Sequence, residues 1–316
     1  MSGAKETLHL AASPHWSEQL RDAIRSADDL AETLGLDPGE LPIAAGADRE
    51  FPLLVPRAFA ARMRQRDPDD PLLRQVLVGP EEEVSVPGFD ADPVGELSLY
   101  ADEPGLLQKY TGRALLIATG HCAINCRYCF RRHYPYGENV LPRSERLARI
   151  DALLEDESIG EIILSGGDPL LLADRELMDL ARRIASAPRS VTLRVHTRLP
   201  VVIPDRVTAD LLDALATEGL RSVVVLHSNH AQEIDVATAL AIRRLREAGI
   251  TVLNQSVLLA GINDDPQTLA RLSDTLFAAG ALPYYLHQLD PVAGAAHFAV
   301  DEARARRIAG ELAELR

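Results

Sequence analysis

The chain has 316 residues, 47% of them hydrophobic, with 33 basic against 47 acidic side chains and a net charge of −14. That length and apolar content suffice for one large core and a smaller appendage. So acidic a surface argues against nucleic acid as a partner, because phosphate binding needs a basic face.

The opening Met-Ser-Gly-Ala-Lys-Glu-Thr has neither the basic nor the apolar region of a signal peptide. No apolar run nears the roughly 20 residues that span a bilayer. The expectation is a cytoplasmic protein with no membrane partner. Residues 1–107 read as a helical N-terminal region, with helical patches such as Trp16–Leu34 between loops marked by Pro38, Pro42, Pro52, Pro56, Pro68 and Pro71.

From residue 114 the pattern changes. Apolar runs of strand length recur at Ala114–Thr119, Glu161–Leu164, Ser190–His196, Arg221–His227, Thr251–Val257 and Pro283–Gln288. After the first interval they start about 30 residues apart, the size of a strand, a helix and two short loops. Helix-period stretches fall between them at Ser144–Glu155, Arg175–Ala187, Ala209–Glu218, Ala231–Glu247 and Pro266–Ala279. Asp174 and Asp205 stand where N-caps belong, and Gly249 and Gly280 where C-caps belong. Strands rich in Val, Ile and Leu suit a parallel sheet buried on both faces. Six strand–helix alternations predict an α/β fold, either a partial (β/α)6 TIM-like barrel or a doubly wound sheet, and periodicity does not choose between them. The expected divisions are residues 1–107, the barrel at 108–297 and a C-terminal helix at 298–316.

The chain's three cysteines lie in one eight-residue window after the first of these strands, Cys122-Ala-Ile-Asn-Cys126-Arg-Tyr-Cys129. Three thiolates spaced C-x3-C-x2-C leave one iron of a [4Fe–4S] cluster open to a non-protein ligand, the position that S-adenosylmethionine (SAM) takes in radical enzymes. The competing reading is a Cys3His zinc site with His121 or His133, but zinc ligands usually come as two separated pairs and the chain has no second pair. No cysteine is left for a disulfide, and an accessible iron–sulfur loop needs a reducing compartment.

The other polar groups sit at the C-terminal ends of the strands, where parallel barrels place their function: Ser165-Gly-Gly-Asp168, His196-Thr-Arg198, His227-Ser-Asn-His230, Asn254-Gln-Ser256 and His287-Gln-Leu-Asp290. Two glycines after a strand let backbone approach a ligand closely. Phe130-Arg-Arg-His133 sets two guanidiniums beside the cysteines, suited to gripping a carboxylate or to facing acidic neighbours.

His121–Tyr136, Ser165–Leu170, Leu199–Pro204, Leu253–Leu259 and Pro283–His287 resemble the lysine 2,3-aminomutase family of radical SAM enzymes. Asp69–Val76, Cys129–His133 and Val292–Phe298 resemble its bacterial branch EpmB, which makes (R)-β-lysine for attachment to elongation factor P. The likeness runs from about residue 8 to the end, and it implies the partial (β/α)6 radical SAM barrel.

What the resemblance implies can be placed residue by residue. Cys122, Cys126 and Cys129 would hold the cluster. Gly166, Gly167 and Asp168 would form the loop for the SAM amino group, with His227 and Gln255 as further contacts to SAM. Arg131 would pair with the carboxylate of L-lysine and Asp290 with its ε-ammonium, while Lys109, Tyr110 and Arg113 would handle pyridoxal 5′-phosphate. In the implied reaction an electron from a flavodoxin- or ferredoxin-type donor cleaves SAM. The resulting 5′-deoxyadenosyl radical takes hydrogen from the β-carbon of lysine, and the α-amino group, held as an aldimine, migrates to that carbon. The implied functional partners are elongation factor P and its β-lysyl transferase.

One departure stands out. The family attaches pyridoxal phosphate to a lysine in a C-terminal Pro-Ser-Lys-Thr-Pro-like stretch, whereas residues 1–316 contain only Lys5 and Lys109. The expectation is an incomplete aminomutase, or a homologue that only binds or cleaves SAM. An aminomutase for another amino acid, such as arginine or glutamate, is the further alternative, with Asp290 favouring a basic one.

Overall fold

The computed structural model describes residues 15–41, 43, 45–97 and 104–315. Its centre is a seven-stranded sheet in strictly sequential order, β1-β2-β3-β4-β5-β6-β7. The strands are β1 Leu106–Tyr110, β2 Arg113–Thr119, β3 Glu161–Gly166, β4 Thr192–Thr197, β5 Arg221–His227, β6 Thr251–Leu258 and β7 Leu282–Gln288. From β2 to β7 every pair is parallel.

That order decides what periodicity left open. A doubly wound sheet reverses its strand order at a switch point. Here each right-handed crossover moves one strand onward in the same direction, so the helices accumulate on one face and the sheet curls. On β4, Leu193 and Val195 are buried toward the helices, and Thr192, Arg194 and His196 alternate onto the concave face. The fold is a partial TIM-like barrel, open between β1 and β7.

β1 was not anticipated from sequence. It pairs antiparallel with β2 through the tight turn Tyr110-Thr111-Gly112-Arg113, where Gly112 has φ 81°. At the other edge every residue of β7 is exposed, including Tyr284 and Tyr285.

The helices largely follow the apolar periodicity: Arg143–Glu155, Asp174–Ala185, Ala209–Leu215, Val236–Glu247 and Pro266–Ala279. Their starts or caps differ from the sequence reading, and three of the differences have a clear local cause. Asp174 is the first helical residue, not the cap, and it pairs with Arg206 at 2.7 Å. Asp205 lies in the turn Pro204–Arg206, and Thr208 caps the following helix by accepting from the Leu211 amide at 3.1 Å. The fourth helix begins at Val236 behind the Asp235 cap, because His230 and Glu233 close a separate turn over Ala231–Glu233. Gly280 ends its helix with φ 101°, and Gly249 takes φ 82° just past the Ala248 cap.

Trp16–Leu34 is two helices, Trp16–Arg21 and Ala27–Leu34. The break comes where Ile24 bridges to Val55 and Ser26 caps the second helix. One continuous core joins Ile24, Leu34, Phe59 and Leu72 to Leu116, Leu164, Val195 and Val224 of the strands.

Candidate active site

The cysteine loop leaves the C-terminal end of β2 and is fixed by backbone bonds to the N-terminal region. The Asn125 amide donates to the Leu54 carbonyl at 3.1 Å, and that of Arg127 to Gln75 at 2.9 Å. Cys122, Cys126 and Cys129 are free and half-buried. Burial pushes the Cys129 thiol up to about 11 and that of Cys122 well above its usual range, and neighbouring thiols add to both shifts. The three thiols therefore lie within electrostatic reach of one another, and binding metal must release their protons.

Among the described residues the sulfurs are not drawn into a finished ligand set, and neither His121 nor His133 completes one with them. His133 is turned to the Ala293 carbonyl at 3.2 Å and His121 lies beside Thr119.

The glycine pair at the end of β3 packs straight onto this loop. Gly167 N–H donates to the Thr119 carbonyl at 2.7 Å, and Asp168 N–H to that of His121 at 2.8 Å. A Cβ on Gly167 would stand 2.2 Å from the His121 carbonyl oxygen, and one on Gly166 (φ 113°) 2.7 Å from that of Thr119. Only glycine fits at either place.

The Asp168 carboxylate is fully used inside the protein. It accepts from Thr197 Oγ1 at 2.6 Å and from the amides of Arg198, Leu199 and Leu170 at 2.7, 2.8 and 3.1 Å. It therefore pins the end of β4 to the glycine loop.

Across the concave face, His227 of β5 is paired in register with Gln255 of β6, and Gln255 with Tyr285 of β7. His227 Nε2 lies 2.9 Å from the Tyr128 hydroxyl, with the two rings stacked. Gln255 works against the lowering of the His196 pKa, and His196 Nε2 is buried without a hydrogen-bond partner. Burial lowers the His196 pKa to about 4 and that of His227 well below the usual imidazole range. Both rings are neutral at physiological pH. Asn254 and Ser256, singled out with Gln255 from sequence, face away and hold the Ser228 carbonyl at 3.1 and 2.6 Å.

Arg131 is buried, and its fork is gripped bidentately by Glu96 at 2.8 and 3.0 Å, with Ser165 Oγ at 3.1 Å. Its neighbour Arg132 does not join it. Arg132 and Arg127 both bind the buried Glu82, at 2.7 and 2.6 Å, so Arg132 ties the loop to the N-terminal region. Asp290 is half-buried just past β7. Burial raises its pKa, Glu96 adds to the rise, and His287, Arg131 and Lys109 oppose it. Five charged or titratable groups thus share one corner.

Lys109, Tyr110 and Arg113 do not converge as a trio. Lys109 donates to the Val94 carbonyl at 3.2 Å and stands 3.9 Å from Glu96. Tyr110 is 71% exposed at the hairpin tip. Arg113 lies at the opposite end of β2 from the cysteines, about 20 Å away at 3.3 Å per residue. There it shares Glu161 with Arg194 of β4, at 3.1 and 2.8 Å, and Arg194 lies over the Tyr284 ring at 5.6 Å. Glu96, Arg194 and Tyr284 are residues that the motifs did not single out for a role at the site. Arg198 belongs to the His196-Thr-Arg198 run at the C-terminal end of β4, and what the sequence did not reveal is its contact with Cys126.

Three thiols in a C-x3-C-x2-C loop, with a glycine pair pressed against it at the C-terminal mouth of a partial barrel, fit a [4Fe–4S] cluster that chelates SAM. The comparisons agree. Residues 116–230 match the family model for the radical SAM superfamily, a family that implies both the cluster and SAM. SuiB of Streptococcus suis shares the fold with a TM-score of 0.50 at 13% identity, over 71% of this chain and 49% of that one.

Closer relatives define the branch. The L-lysine 2,3-aminomutase of Escherichia coli K12 is 46% identical over 98% of this chain and 90% of the relative. That of Haemophilus influenzae Rd is 43% identical over 93% of this chain and 87% of its own length. The chain belongs to the L-lysine 2,3-aminomutase family.

Proposed function

We propose that the chain is an isomerase that converts (S)-α-lysine to (R)-β-lysine at a reduced cluster, with pyridoxal 5′-phosphate as second cofactor. The observation that carries this is the placement of Arg131 and Asp290. Arg131 is buried beside Ser165 at the end of β3, and half-buried Asp290 just past β7 lies close enough for that cation to oppose the rise in its pKa. A substrate with a carboxylate at one end and an ammonium at the other complements that pair. Asp290, with Glu96 nearby, disfavours glutamate.

When bound, the cluster supplies the electron that cleaves SAM, and pyridoxal phosphate supplies the electron sink for the migrating amino group. The protein's own part is binding, orientation and exclusion of water. Cys122, Cys126 and Cys129 would hold the iron, and Gly166 and Gly167 would bring backbone against SAM, with Asp168 fixing their geometry from behind. His227 and Gln255 would line the same level of the barrel, their neutral partners adding no charge there. Arg113 and Arg194, with Tyr284 above, offer a cationic lower rim for a phosphate. Holding the reacting C–H near its acceptor accounts for much of the rate in such a reaction.

Lys109 is tied to Val94 and Glu96, which suits a positioning role better than cofactor attachment. We place the barrel at residues 108–297, between the N-terminal region 1–107 and the helix-bearing segment 298–316. A flavodoxin- or ferredoxin-type donor and a product destined for elongation factor P and its β-lysyl transferase complete the reading.

Reduced, cluster-loaded protein is expected to cleave SAM to 5′-deoxyadenosine faster with lysine and pyridoxal phosphate together than with either alone. A rate indifferent to lysine, or raised instead by glutamate, would rule the reading out.

A further inference from the structure

Among the cysteine sulfurs, that of Cys126 receives a hydrogen bond from a buried cation. Arg198 Nη1 donates to Cys126 Sγ at 2.7 Å and to the Tyr128 hydroxyl at 2.6 Å. Its Nη2 donates to Gln75 Oε1 at 2.8 Å and to Glu233 Oε2 at 3.0 Å. The guanidinium also lies over the rings of Phe59 and Tyr128, at 5.3 and 5.8 Å. Arg198 is 7% exposed, and Gln75 and Glu233 are fully buried.

Two of those partners are themselves fixed. Glu233 accepts from the amides of Asn229 and His230 at 2.8 and 3.0 Å, and Gln75 donates to the Pro71 carbonyl at 3.1 Å. The Arg198 backbone is clamped by Asp168, which also anchors the glycine loop. This many restraints hold one charge-bearing fork against one thiol, 72 residues away in sequence. A buried guanidinium has five N–H donors to satisfy, and oxygen acceptors alone could have met them. The arrangement instead aims a full positive charge at a sulfur that the C-x3-C-x2-C spacing assigns to the cluster.

A cluster's potential is set by its net charge, by hydrogen bonds to its sulfurs and by solvent exposure. A cation donating to a ligand sulfur favours the reduced, more negative state. We propose that Arg198 is a positioning residue that donates to the cluster thiolate of Cys126 and raises the potential at which the cluster accepts its electron. Glu233 moderates it, since its carboxylate neutralises part of the charge. The proposal rests on the cluster reading.

The test compares wild type with Arg198→Gln, Arg198→Lys and Glu233→Gln, each reconstituted anaerobically. Iron and sulfide are counted first, and then the midpoint potential is read by titration followed by electron paramagnetic resonance. Wild type without four irons and four sulfides would remove the cluster reading itself, a failure distinct from an unmoved potential in loaded protein.

With clusters loaded, Arg198→Gln is expected to lower the reduced-to-oxidised ratio at fixed poise about tenfold, which for one electron is about 59 mV. Arg198→Lys, which keeps the charge but not the fork, should fall between, and Glu233→Gln should shift the opposite way. An Arg198→Gln cluster with the wild-type potential overturns the proposal, because a purely structural arginine would lower cluster occupancy and leave the potential of the loaded fraction unmoved. Should Arg198→Gln not hold its cluster, unchanged potentials in both other variants overturn it equally.

Discussion

Exchanging Cys126 for serine is expected to abolish the cluster and bring reductive SAM cleavage down to background, while leaving the metal-free fold intact. A serine hydroxyl is a poor iron ligand, and two remaining thiolates do not retain a four-iron cluster in a loop that offers no other donor. Among the described residues no histidine or carboxylate stands ready to replace the lost ligand. The structural cost is small by comparison. Cys126 is half-buried and its side-chain partner is Arg198, which keeps Tyr128, Gln75 and Glu233. Losing one such bond is worth about 1 kcal/mol. Iron and sulfide content should therefore collapse while the urea midpoint of the metal-free protein scarcely moves. Stoichiometric zinc in wild type, with no acid-labile sulfide, would instead place these cysteines in a zinc site.

The second large effect concerns Arg131 and separates two roles that the sequence merges. Arg131→Met removes the cation proposed for the substrate's carboxylate, and it also takes the bidentate partner from Glu96, which is 5% exposed and keeps the longer 3.9 Å pair to Lys109. Breaking a buried pair from one side costs about 3–5 kcal/mol, so this variant is expected to lose stability and lysine use together. Glu96→Gln resolves the ambiguity. In the free protein the Glu96 carboxylate occupies the fork that a lysine carboxylate would need, and neutralising it removes a competitor. Half-maximal SAM cleavage should then need about tenfold less lysine, the equivalent of 1.4 kcal/mol. A higher lysine requirement in Glu96→Gln would mean that Glu96 orients Arg131 for the substrate and does not compete with it.

The six parallel strands were legible because each is an apolar run bounded by turn residues, and the cysteine window because it gathers all three of the chain's cysteines into eight residues. The barrel was legible through the resemblance to the radical SAM family and not through periodicity. Strand order emerges only from pairing, and Leu106–Tyr110 was invisible as a strand because its last three residues are exposed and polar or aromatic. The site's second layer was hidden for a different reason. Arg131 meets Glu96 across 35 residues and Arg198 meets Cys126 across 72, and a contact of that span leaves no periodic trace. The two arginines of Phe130-Arg-Arg-His133 show the limit well: adjacent in sequence and identical in chemistry, they differ because only Arg131 faces Glu96 and Ser165 while Arg132 faces Glu82. Asp168 follows the glycine pair, but the sequence held no sign that its carboxylate is consumed by Thr197, Arg198 and Leu199.

The central claim, that this mouth directs SAM-derived chemistry to the β-carbon of lysine, is tested most directly by following hydrogen. Reduced, cluster-loaded protein is incubated with SAM, pyridoxal phosphate and lysine deuterated at carbon 3, and the nucleoside products are examined by mass spectrometry. The account predicts deuterium at the 5′-carbon of 5′-deoxyadenosine or of recovered SAM, and none when the label is carried at carbon 2 or carbon 6. Unlabelled nucleoside from the carbon-3 substrate, with SAM cleaved all the same, would contradict it.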